Sequence, residues 1–227
     1  MAQVTAAPLS ERQKSIVVIA AFTASGDVDR LTLALNEGLD AGLTVNEIKE
    51  VLVQMYAYAG FPRSLNGLGA FMGVLDARKA RGIEDPVGRE SAALPAHMDR
   101  NAYGAKTRAF LVGRETDIAG LPWQQFAPAI DAFLKEHLFA DIFARDVLDY
   151  KTRELATIGA LAAMPGTRPQ LQSHLGICLN IGLTPEQLED FTHLVEARVG
   201  ALEGANAQKD LAAVLGEMPS GICQPRG

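Results

Sequence analysis

The sequence predicts an all-α protein built from two tandem copies of one helical unit, and three observations carry that prediction. Hydrophobic residues make up 48% of the 227 residues but aromatic ones only 6%. That bias toward Ala, Leu, Val and Ile suits helices packed closely through small side chains, and disfavours a β-sandwich. Residues 14–48 also match residues 154–188 at a constant offset of 140, without a gap, with eight identities in 35 positions. Composition alone would give roughly two or three. Finally, the identities fall where helix punctuation requires them: Ala20 with Ala160, Gly26 with Gly166, Leu31 with Leu171, Leu35 with Leu175, Leu39 with Leu179, Gly42 with Gly182, Leu43 with Leu183 and Thr44 with Thr184.

Taken in order, Ser10 and Gln13 form a capping box ahead of a helix over 11–24. Arg12 and Lys14 before the apolar run Ile16 to Ala24 have the charge and length of a short signal peptide, but the recurrence of the stretch later in the chain argues against that reading. Leu31, Leu35 and Leu39, like Leu171, Leu175 and Leu179, mark one apolar stripe on a helix. Gly42 suits the left-handed residue that ends it, Thr44 with Glu47 opens the next helix, and Leu43 with Ile48 makes the hydrophobic staple. The second copy repeats this design with Gly182, Thr184, Pro185, Gln187, Leu183 and Leu188. The helix beginning near Asn46 runs to Gly60, and a further helix covers about 63–80 and ends at Gly82.

Residues 83–103 read as a surface linker, and helices are expected over 104–115 and 127–145, the latter with Ile130, Phe133, Leu134, Leu138, Ile142 and Phe143 on its apolar face. The organisation is therefore a first repeat over 1–82, a linker with connecting helices over 83–147, and a second repeat over 148–227.

The formal charge of −6 and the scattered basic residues give no surface that would track nucleic acid. No apolar run is long enough to cross a bilayer. Cys178 and Cys223 support neither a disulfide framework nor a metal cluster, and a reducing, cytoplasmic setting is the simpler expectation. Cys178 reads as a small buried residue and Cys223 as an exposed, incidental one. The chain has no HExxH, CxxC or paired i, i+4 histidines, so no metal is expected, and no glycine-rich phosphate loop follows a strand. His97, His137 and His193 read as surface residues.

The string YAGFPRSLNGLGAF at 58–71, with NEGLDAGLTVNEIKEVLVQ before it and RELATIGALAA and QLQSHLGICLNIGLT later, resembles the carboxymuconolactone decarboxylase family, which includes the alkylhydroperoxidase D proteins. The resemblance covers roughly residues 9–80 and 148–215. It implies an AhpD-like helical fold and homo-oligomeric assembly, here a trimer of two-copy chains. In the peroxidase relatives a glutamate lies twelve residues before a CxxC pair. Glu154 takes the glutamate position, but Gly166 and Pro169 stand where the cysteines would be, and the first copy has Lys14, Gly26 and Asp29. Thiol-dependent peroxide reduction is therefore disfavoured.

The decarboxylase branch is similar to this chain in Arg153 and Glu154, followed by a helix containing His174. The first copy has Lys14 opposite Glu154 and Ala34 opposite His174, so only the second copy keeps acid–base groups. The resemblance implies a cofactor-free lyase acting on a small carboxylated lactone or unsaturated acid. Decarboxylation leaves charge on the lactone oxygen and requires a proton at carbon; an imidazole oriented by a carboxylate supplies one without metal or organic cofactor. Arg153 would bind a substrate carboxylate, and Tyr58 or Tyr56 would add a hydrogen-bond donor. Plainer roles remain open for each: a core or interface histidine satisfied by a backbone carbonyl for His174, a first-turn carboxylate favoured by the helix dipole for Glu154, and a surface or interface ion pair for Arg153. A non-catalytic assembly or small-molecule binder is the third alternative.

Overall fold

The computed structural model describes residues 7–217, and among these every regular element is a helix. The first copy consists of α1 (Glu11–Ser25), α2 (Val28–Asp40), α3 (Val45–Gln54), the short α4 (Tyr56–Ala59) and α5 (Phe61–Ala80). The second consists of α9 (Tyr150–Ala163), α10 (Arg168–Asn180), α11 (Pro185–Arg198) and α12 (Ala201–Glu217). Between them lie α6 (Arg100–Leu111), α7 (Pro122–Phe126), α8 (Pro128–Phe133) and a π-helix over Leu134–Ile142. Both bounds of α10 are those of α2 displaced by 140, and α12 starts 140 residues after α5. The repeat thus extends past residue 48, where sequence identity fades.

The helix junctions follow the local chemistry of the sequence. Gly42 and Gly182 take φ of 87° and 92°, a conformation that side chains with a Cβ rarely adopt. In each, the following leucine donates back five residues, Leu43 to the Gly38 carbonyl and Leu183 to the Cys178 carbonyl, which closes the helix end. Both capping boxes, Thr44 with Glu47 and Thr184 with Gln187, are formed, as is that of Ser10 with Gln13. Arg12 and Lys151 donate to the carbonyls of Gly42 and Gly182 respectively, so each copy ties its first helix to the end of its second in the same way.

The centre of the molecule is the contact of α1 with α9. Residues Ile16 to Ala24 are all buried, as are Arg153 to Leu161. A helix apolar all round belongs in an interior, so the signal-like run of the sequence is the core of α1. The backbones come unusually close at Gly159, where an added Cβ would stand 2.5 Å from the Val17 carbonyl oxygen. One continuous apolar core joins Ile16, Ile19 and Leu35 of the first copy to Leu155, Leu175 and Phe191 of the second.

Polar contacts across this seam are reciprocal. Glu50 of α3 reaches Arg153 of α9, while its counterpart Asp190 accepts from the Leu9 backbone N–H at 2.9 Å and lies 3.9 Å from Lys14.

The connecting segment departs from the sequence expectation. The helix expected over 104–115 begins at Arg100, because the Asp99 carboxylate accepts from the Ala102 N–H and caps it. The helix expected over 127–145 starts at Pro128, after Ala127 at φ −136°, and from Leu134 to Ile142 it widens into the π-helix. Residues 86–89 are not a loose surface linker, since Pro86 and Val87 accept from the N–H groups opening α3, and Asn46 donates to the carbonyls of Gly88 and Arg89. The π-helix lies against α6 at Gly104 and builds a second core from Leu111, Leu138, Phe139, Ile142, Phe143 and Ile177.

A glycine pair tests the central contact. Gly159→Ala should destabilise the protein by about 1–3 kcal/mol through overpacking, although alanine favours helices. Gly176→Ala, where nothing lies within 4 Å of the added Cβ, should stabilise by about 0.5–1 kcal/mol. Urea unfolding of both variants measures the difference in sign.

Candidate active site

Three elements converge on one place. Asp149 caps α9 through the Thr152 N–H, which starts the helix so that Glu154 falls on its second turn, beyond the first-turn dipole position. In α10, Leu171, Leu175 and Cys178 face the core, and His174 sits on the flank of that stripe, turned to α9. Its Nδ1 lies 2.6 Å from Glu154 Oε2. Glu154 is fully buried and the His174 side chain keeps 14% of its exposure, so the pair joins a dry carboxylate to an imidazole that touches solvent. His174 is paired with a carboxylate rather than a backbone carbonyl, and Glu154 lies beyond the first turn of α9.

Tyr58 comes from α4 of the first copy, its ring edge against the His174 ring at 6.1 Å between centroids. Its hydroxyl is buried near Thr157 but makes no hydrogen bond of good geometry. Burial, then the charge of Glu154, push the phenol well above its ordinary pKa, so it stays a protonated donor. Glu154 Oε1 is buried without a partner as well. The site is therefore composite, a feature not read from the sequence. Tyr56, two residues earlier, instead packs on Phe61 and on His137 of the π-helix.

Arg153 has a different place from the substrate clamp expected of it. The side chain is fully buried. Nη1 donates to Gln54 Oε1 at 3.0 Å, and Nη2 donates to Glu50 Oε2 at 3.1 Å and to the Arg145 carbonyl at 2.7 Å. Gln54 returns its Nε2 to the Arg153 carbonyl at 2.9 Å and to Thr157 Oγ1 at 3.0 Å. A guanidinium so engaged is a strut between the copies, set one residue before Glu154. The sequence did hold a signal for it: Gln54 is the one polar residue in VLVQMYAYA apart from the tyrosines.

The equivalent positions about the repeat are Lys14 and Ala34 of the first copy and Arg198 of the second. Lys14 is paired with Glu11 at 3.3 Å, Ala34 is buried and Arg198 is paired with Glu37 at 2.5 Å. No imidazole or free carboxylate faces inward there.

Cys178 lies one turn beyond His174, and burial, then the charge of Glu154, raise its thiol well above the ordinary value. Such a thiol resists ionisation. Cys223 lies outside the described residues. An open cleft of about 540 Å³ lined by Tyr103, Arg145, Asp146 and Tyr150 does not reach the His174 pair, and its arginines are already paired with Glu50 and Asp146. Among the described residues no three His, Cys, Asp or Glu side chains gather as a metal-binding set. No helix among them is long and apolar enough to cross a membrane.

Fold and site together define a two-copy, all-helical protein with one composite histidine–carboxylate site. The carboxymuconolactone decarboxylase family profile matches residues 1–72 and 128–210, and the chain belongs to that family. A search of curated proteins finds no match.

The strut makes a pH-dependent prediction. Burial raises the Glu50 carboxyl, but the hydrogen bonds and charges of Arg145 and Arg153 outweigh it and hold Glu50 below its ordinary value of 4.5. A depressed carboxylate contributes stability above its unfolded pKa and loses it as pH falls through the folded one. Urea unfolding should therefore show stability declining below about pH 4.5, with Glu50→Gln flattening that decline. Arg153→Met should cost about 3 kcal/mol at pH 7 by breaking the buried pair.

Proposed function

We propose that this protein is a cofactor-free acid–base lyase acting on a small carboxylated lactone or unsaturated acid. The observation that carries the reading is the 2.6 Å contact between His174 Nδ1 and Glu154 Oε2, with Tyr58 against the imidazole. With Nδ1–H donated to the carboxylate, Nε2 is left as the working nitrogen of an imidazole whose orientation Glu154 fixes.

In the reaction, the bond from carbon to the substrate carboxylate breaks and carbon dioxide leaves. The electron pair spreads through the unsaturated ring onto the lactone oxygen. His174 delivers its Nε2 proton to carbon and is reprotonated from solvent, which its partial exposure permits. The Tyr58 hydroxyl, kept protonated by its burial, supplies a donor for the developing oxyanion. Recognition of the substrate carboxylate does not fall to Arg153, whose Nη groups are already engaged.

The test is carbon dioxide release from γ-carboxymuconolactone and related acids. His174→Ala should lower kcat by roughly 10²–10⁴ with an unchanged circular dichroism spectrum, and Tyr58→Phe by about tenfold or more. A folded His174→Ala variant with full turnover would remove the mechanism. Binding of these acids without conversion, unaffected by that substitution, would identify a non-catalytic binder.

A further inference from the structure

The cleft of about 540 Å³ that lies apart from His174 is walled by all three parts of the chain: Glu47 from the first turn of α3, Arg89, Tyr103 and Arg145 from the connecting segment, and Tyr150 from the start of α9. Its volume falls within the roughly 300–1,000 Å³ of small-molecule sites. The duplication does not supply it, because the position equivalent to Tyr150 is Ser10 and the connecting segment has no counterpart in the repeat. No histidine, cysteine or serine lines it, so it offers a place to bind rather than an agent for proton transfer or nucleophilic attack.

Its carboxylates are engaged. Glu47 accepts from Arg12 at one oxygen and from the Thr44 N–H and hydroxyl at the other, Asp146 accepts from Arg89 and from the Ala92 N–H, and Asp149 caps α9 through the Thr152 N–H. Its arginines are engaged on one edge only. Arg145 holds Glu50 with Nε and Nη2, and Arg89 holds Asp146 with Nη1; among the described residues, Arg145 Nη1 and Arg89 Nε and Nη2 meet no acceptor. Burial, then its neighbour Tyr150, raise the Tyr103 phenol above its ordinary value, so that hydroxyl remains a donor as well. The unspent polar capacity is thus mainly donors, and a guanidinium with a free edge suits a carboxylate or a phosphate. Beside these donors stands an aromatic wall, in which Tyr150 packs on Phe143 at 6.1 Å between centroids and on Phe110 at 5.8 Å.

We propose that this cleft is a second small-molecule site, one that takes an aromatic carboxylate of one or two rings. The carboxylate meets the free edges of Arg89 and Arg145, and the ring packs against Tyr103 and Tyr150, whose π-systems favour a flat partner. Inorganic phosphate would use the arginines but leave the aromatic wall and most of the volume empty. The ligand also bears on the strut between the copies: the far edge of Arg145 grips Glu50, and its carbonyl accepts from Arg153 Nη2. A ligand that holds Arg145 in place therefore stabilises the folded chain by binding it in preference to the unfolded one.

Titration calorimetry and thermal unfolding of the full chain with 2-naphthoate test the proposal, with 2-naphthol and inorganic phosphate as comparisons. Naphthoate should bind one per chain with a Kd of about 1 mM or tighter and raise the Tm. Arg89→Ala, which removes only an exposed ion pair from the fold, should weaken binding about tenfold, and Tyr103→Phe about threefold. Arg100→Ala, an equally exposed arginine paired with Asp141 outside the cleft, should leave binding unchanged, as should His174→Ala. Absence of both heat and a Tm shift at about 5 mM naphthoate overturns the proposal. Equal affinity for 2-naphthol or for phosphate overturns the ligand class. Binding lost in His174→Ala but kept in Arg89→Ala would place the ligand at the composite site and overturn the second one, whereas the expected pattern holds whether or not the His174 pair performs the lyase chemistry.

Discussion

The close approach of α1 to α9 at Gly159 is the constraint on which the rest depends. The contact needs no Cβ on one helix because a backbone carbonyl of the other occupies its place. Both helices then bury residues on every side, which neither copy could do alone. The two copies are halves of one core, and the rotation of α9 about its axis is fixed by what α1 leaves room for. Glu154 is aimed by that rotation. The Arg153 strut acts in the same sense, pinning the preceding residue to Gln54 and Glu50 of the first copy.

Duplication explains why the surviving site is shared. Each copy offers its neighbour the end of its third helical stretch: Tyr58 approaches the second copy, and the equivalent Arg198 belongs to the position facing the first. Where Tyr58 finds Glu154 and His174, Arg198 finds Glu37. The first copy has no counterpart of the Glu154–His174 pair, yet it sets Tyr58 against that pair and holds α9 in place through Gln54 and Glu50. A truncated second copy would lack both the phenol and the strut.

What was legible in the sequence was chemistry that acts within a few residues. Gly42, Thr44 and Glu47 specify a helix junction through a positive φ and a capping box, and Gly182, Thr184 and Gln187 specify it again with glutamine in place of glutamate. The pairing of Glu154 with His174 came from resemblance, since twenty residues of separation do not fix a contact. The sequence leaves Arg153 open between a substrate clamp and an ion pair because its partners, Glu50 and Gln54, lie about a hundred residues away, and a guanidinium looks the same in a sequence whether it faces a pocket or a core. The connecting helices were blurred for another reason. From Leu134 the chain is a π-helix lying against Gly104 of α6, a widening that no local pattern records.

Buried carboxylates elsewhere in the protein show what is unusual about Glu154. Asp210 is equally buried, yet one oxygen accepts from both Arg168 and Gln172 and the other from Arg168 again. Glu50 accepts at both oxygens from Arg145 and at one from Arg153. Those are saturated, structural ion pairs. Glu154 has a single partner, an imidazole rather than a guanidinium, and its second oxygen is left without a hydrogen bond, as is the Tyr58 hydroxyl close by. An unsatisfied buried polar group costs about 1–3 kcal/mol, and such groups in a native structure call for an explanation beyond packing. The fold satisfies its other buried acids with arginine and leaves this one half-satisfied beside a partly exposed imidazole, and that unspent polar capacity is what the proposed chemistry draws on.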